Sequence, residues 1–120
     1  MLIIKHPQPD LWIHVAVVRT NTGSDGLKIY VNGVLDGTFT DTSNYDDTPY
    51  APRIGGFDQG GSRTGNDIKG YITDVRIVKG TAVYTGNFTP PTAPLTAITN
   101  TKLLVNMADG QAIDSAAQNN

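Results

Sequence analysis

Two alternating runs meeting at Asn32-Gly33 constrain this chain more than any other feature. Leu27 to Val31 (LKIYV) alternates in type, Asn-Gly follows, and Val34 to Thr40 (VLDGTFT) alternates again. Asn and Gly both tolerate positive φ, which a two-residue type I′ turn demands at both of its central positions, so the segment reads as a β-hairpin. A period of two places Leu27, Ile29 and Val31 on one face, expected to be the core side. Lys28, Tyr30 and Asn32 are expected to face outward.

The acidic residues support the same fold class. All 11 are Asp and none is Glu. Glu suits helix interiors, whereas Asp competes for the backbone and favours turns and caps. With 13 Gly and 7 Pro in 120 residues, the chain reads as one all-β domain spanning residues 1–120.

Other strands follow from periodicity. Trp12 to Arg19 (WIHVAVVR) is apolar on both faces and β-branched, as a buried strand is. Gly70 to Val78 (GYITDVRIV) alternates Tyr71, Thr73, Val75 and Ile77 against Ile72, Asp74, Arg76 and Val78, and is expected to be the central strand. Leu2 to Lys5, Arg53 to Gly55 and Leu103 to Met107 read as shorter strands. Thr81 to Tyr84 is expected to form one helical turn before Pro90-Pro91, which forbids regular continuation. The polar tail after Met107 is expected to fray unless something pins it.

Several functions are disfavoured at this level. A net charge of −2 with nine scattered Lys and Arg does not suit a polyanion, so no nucleic-acid partner is expected. Without cysteine there is no disulfide or thiolate chemistry. The opening MLIIKHPQPD has too short an apolar run for a signal peptide, and no stretch is long enough to insert in a membrane. The glycine-rich GFDQGGSRTG lacks the Lys-Ser/Thr ending and the following helix of a phosphate loop, and reads as a strand connection. His6 and His14 have no serine or carboxylate at a suggestive spacing; His14 reads as a packed core residue. The sequon Asn87-Phe88-Thr89 reads as a turn.

Taken in order, WIHVAVVR, LKIYVNGVLDG, RIGGF and GYITDVRIVKGTAVYTGNFTPPTAP resemble the C-terminal half of a laminin-G-like, concanavalin A-like jelly roll. The subfamily they resemble is common in bacteriophage virion proteins and bacterial surface proteins. The resemblance covers residues 11–94, with residues 101–120 forming a terminal strand and polar tail. It implies an antiparallel β-sandwich, here truncated or permuted, because KLLVNMADGQAIDS resembles the segment that begins such domains. An unfinished sheet leaves unpaired edges, which copies of the chain or other virion proteins would complete. Glycosidases of this fold carry a Glu-x-Asp-x-x-Glu pattern, which a chain without Glu cannot build, so no enzyme is expected. The functional expectation is a structural or adhesion module of a virion (tail, fibre, neck or capsid decoration), assembled in the host cytoplasm; the alternative is a free-standing lectin. For a cell-surface glycan the candidates are Tyr45, Tyr50 and Phe57, aromatic and placed in loops. No cofactor is required. Calcium is the one to consider, with Asp41, Asp46, Asp47 and Asp74 as oxygen donors, against their reading as ordinary turn and strand aspartates.

Overall fold

The structure, a computed structural model, describes residues 11–44, 54–56, 58–59, 62–63, 68–106 and 113–114. Eight strands run in chain order: β1 Val15–Arg19, β2 Leu27–Val31, β3 Val34–Phe39, β4 Asp58–Gln59, β5 Ser62–Arg63, β6 Val75–Val78, β7 Thr101–Asn106 and β8 Ile113–Asp114. They form three antiparallel sheets ordered β1-β2-β3, β4-β5 and β6-β7-β8, and the described residues contain no helix.

The hairpin forms as its sequence requires. Asn32 has φ 49° and Gly33 φ 79°, and Val31 pairs with Val34 across the turn. Further along, Ile29 pairs with Gly37 but Tyr30 with Leu35, so Asp36 is an extra residue on β3. That bulge interrupts the outer strand of the sheet. Asn32 also ties the turn to β1. Its side-chain Oδ1 accepts the His14 N–H at 2.9 Å, and its own N–H donates to the His14 carbonyl at 2.8 Å.

The facing of β2 differs from expectation. Tyr30 is the most buried side chain described, 1% exposed, whereas Leu27, Ile29 and Val31 are half-buried. Alternation separates the two faces correctly but does not say which is covered. The segment carrying Tyr84 and Phe88 packs on the Tyr30 side, with the Tyr30 and Phe88 rings 5.6 Å apart at 61°. The other face therefore keeps its apolar residues at the surface.

Two further strands are shorter than their patterns suggest. Of Gly70 to Val78, only Val75–Val78 is strand; Asp74 turns left-handed at φ 53° and Tyr71 is 90% exposed. β6 also occupies a margin of its sheet, and β7 takes the middle. Successive residues Leu104 and Val105 on β7 are both buried, so that strand is covered on both faces, as a central strand should be. Of Trp12 to Arg19, Val15–Arg19 is strand, at the sheet margin rather than in its interior.

Ile54 and Gly55 form a bend, not a strand, and β4 and β5 arise instead within GFDQGGSRTG, where Asp58 pairs with Arg63 and Gln59 with Ser62. Residues 81–84 are irregular rather than helical: Gly80 sits at φ 96°, and Asn100 Nδ2 holds the Thr81 hydroxyl at 2.9 Å. In the tail, Val105 pairs with Asp114 and Asn106 with Ile113, so β8 is anchored to β7. The expected Leu2 to Lys5 strand lies outside the described residues.

Candidate binding surface

Two features of the β1-β2-β3 sheet stand out, one on each face. On the covered face, His14, Tyr30, Tyr84 and Phe88 form an aromatic cluster. Tyr84 and Phe88 stack at 3.6 Å and 7°, and His14 meets both edge-on, at 6.2 Å from Tyr84 and 5.5 Å from Phe88. Residues 84–88 thus form a strap across the sheet, held by the Phe88 N–H to the Gly33 carbonyl at 2.9 Å and the Leu35 N–H to Asn87 Oδ1 at 2.9 Å. The chain bends at Thr85 and Gly86, just before the sequon, whereas Asn87, Phe88 and Thr89 are irregular rather than a turn. His14 is packed, as its apolar flanks imply, and burial with the nearby Arg76 guanidinium lowers its pKa below the usual imidazole value. Both His14 Nδ1 and the Tyr30 hydroxyl are buried without a hydrogen-bond partner.

The opposite face is built by register. Val15, Val31 and Val34 lie in one row, Val17, Ile29 and Gly37 in the next, and Arg19, Leu27 and Phe39 in the third. Val15, Val17 and Val34 are exposed, Val17 to 62%. Leu11 and Trp12 precede β1 and are also exposed, the indole to 69%. A set of β-branched residues in register on one sheet face, left at the surface, is what an interaction surface presents.

Of the expected glycan and calcium residues, Tyr45, Tyr50, Phe57, Asp46 and Asp47 lie outside the described residues. Asp41 serves its loop: Oδ1 accepts the Ser43 N–H at 2.9 Å, and Oδ2 lies 3.6 Å from Arg19 Nη1. Arg19 in turn donates to the Ser43 carbonyl at 2.7 Å. Asp74 accepts a hydrogen bond from Asn106 Nδ2 on β7, while Arg76 donates to the Thr96 carbonyl at 2.9 Å. Among the described residues, no three His or Asp side chains gather as a metal site. The exposed aromatics that sequence reading passed over are Trp12 and Tyr71. Both stand in runs that read as buried strand, and the signal against burial was the Pro7-Pro9 break before one and Gly70 before the other.

An antiparallel all-β fold with apolar side chains left open on one sheet face defines the class of β-sandwich modules. More particularly, the laminin G-type family model described as the concanavalin A-like lectin/glucanases superfamily matches residues 5–85, and the chain belongs to that superfamily. The match takes in β1 to β6 and stops within the strap, before Phe88, β7 and β8. Neither the curated proteins nor the solved structures give a match.

Proposed function

We propose that this chain is a non-enzymatic structural or adhesion module of a bacteriophage virion, completed by association with copies of itself or other virion proteins. The observation that carries this reading is the open face of Val15, Val17 and Val34, backed by half-buried Leu27, Ile29 and Val31. Soluble monomers rarely leave so many apolar side chains together in water, and a partner that covers them gains roughly 25 cal/mol for each Å² of apolar surface removed. Superfamily membership supports a binding role, since laminin G-like domains are in general binding modules rather than enzymes, and the absence of Glu speaks against the family's hydrolase chemistry. The virion setting rests on the order of motifs from WIHVAVVR to the Pro90-Pro91 segment.

A second reading, a lectin acting on its own, is favoured by the exposed rings of Trp12 and Tyr71, which offer flat faces for sugar stacking beside the loop candidates Tyr45, Tyr50 and Phe57. Calcium held by loop aspartates would serve that reading.

Sedimentation across a concentration series separates the two. A virion module is expected to self-associate, or to remain poorly stable until its partner is added. A stable monomer throughout that range, retained on a glycan array in a calcium-dependent, chelator-sensitive manner, would replace the first reading with the second.

A further inference from the structure

Between the sheet and its strap lies a titratable group that neither reading uses. His14 sits just before β1 with its backbone fixed on both sides by Asn32, which holds its Cα against the turn. Its ring is edge-on to both strap aromatics. Nδ1 is shut away from water with no acceptor or donor facing it. The groups facing it are the Tyr84 and Phe88 rings of the strap and the amide of Asn32 in the turn, and one cation, Arg76 on β6, acts on its charge. No carboxylate among the described residues forms an ion pair with it.

We propose that His14 is a pH-sensitive latch: its neutral imidazole holds the 84–88 strap against the β1-β2-β3 sheet, and its protonation releases the strap. The physical reason is that burial and the Arg76 cation both oppose a charge on the ring. A second proton would place a charge in an aromatic, water-poor setting, opposite a guanidinium of the same sign, on a ring whose buried nitrogen has nothing to donate to.

The direction of the pH effect follows by linkage. The imidazole binds its proton less readily when the strap is closed than when it is open and solvated. The strap contact is therefore fully formed above the ordinary imidazole value of about 6.5. It weakens as pH falls from there toward the lower value of the closed form, and levels off below it. What the release uncovers is the Tyr30 face, so acidification would turn a sheet with one open face into one with two.

Hydrogen exchange at the Phe88 and Leu35 amides, the two donors that tie the strap, tests this on the intact chain between pH 7.5 and 5. After correction for intrinsic exchange, protection at both amides should be lost together as pH drops below about 6.5. In His14→Phe, which keeps an aromatic ring and cannot titrate, that step should vanish, although His6 remains. Should His14→Phe not fold, an NMR titration of the unaltered protein decides: the His14 ring should titrate below 6.5 and the Phe88 amide should shift with the same midpoint. Protection that stays flat to pH 5, an unchanged step in His14→Phe, or a His14 midpoint at or above 6.5 would each overturn the proposal.

Discussion

At the level of single residues, burial and hydrogen bonding disagree most at Tyr30. Its side chain is almost wholly enclosed, yet its hydroxyl has no partner. A buried, unpaired hydroxyl opposes folding by about 1–3 kcal/mol, while the ring beneath it supplies packing. The two contributions can be separated. Tyr30→Phe should leave stability unchanged or raise it by about 1 kcal/mol, whereas Tyr30→Ala should lower it by about 3–5 kcal/mol through loss of the contact with Phe88. Urea denaturation of both variants checks the pair. A large loss in Tyr30→Phe would mean that the hydroxyl has a partner after all. Lys28, Tyr30 and Asn32 alternate with Leu27, Ile29 and Val31, and phenols occupy buried and exposed sites alike. Nothing in the β2 run alone could therefore have assigned Tyr30 inward; the ring that covers it stands 58 positions later.

Among the elements, the β2–β3 hairpin is where local and tertiary demands coincide. Asn32-Gly33 was legible from sequence because positive φ at two successive positions is a backbone requirement few residues meet. The sequence did not reveal that the same glycine lies under the strap. A Cβ at position 33 would come within 1.8 Å of the Phe88 carbonyl oxygen, with φ fixed at +79°. Gly33→Ala should therefore lower stability by roughly 3 kcal/mol, more than turn strain alone, and should disturb the Phe88 and Leu35 amides in an NMR spectrum beyond the turn itself. A change confined to residues 32–34 would show that the strap does not bear on the turn. The Gly70–Val78 run teaches the converse. Its pattern extends over nine residues, but Asp is one of the few residue types that enters the left-handed region readily, and Asp74 does so while its carboxylate is held by Asn106 on β7. Periodicity located β6 and overran its start.

For the molecule as a whole, the open face of β1-β2-β3 sets the expected behaviour. Val17 stands on the margin strand of that sheet and is largely in water, so Val17→Lys should change the stability of the isolated chain by less than about 0.5 kcal/mol. If the face is the site of assembly, the same substitution should abolish association in sedimentation, because a buried lysine without a partner opposes the interface strongly. Association unchanged by Val17→Lys would place the contact elsewhere. The asymmetry between the sheet margins fits this choice: β3 carries the Asp36 bulge and has its Leu35 N–H capped by Asn87, two devices that discourage strand addition. Val15 to Val18 on β1 carry neither a charge nor a bulge.

The sequence by itself determined the fold class, the hairpin and the existence of the β1, β6 and β7 strands. These follow from the period of the side chains and the φ demands of Asn, Gly and Pro, all of which act over a few residues. Tertiary structure alone decided which face of β2 is covered, which strand of the β6-β7-β8 sheet lies in its middle, and that His14 meets Tyr84 and Phe88. Those outcomes depend on contacts between segments up to seventy-odd positions apart, and a side chain's alternation records that it has two faces to choose from without recording what will arrive to cover one of them.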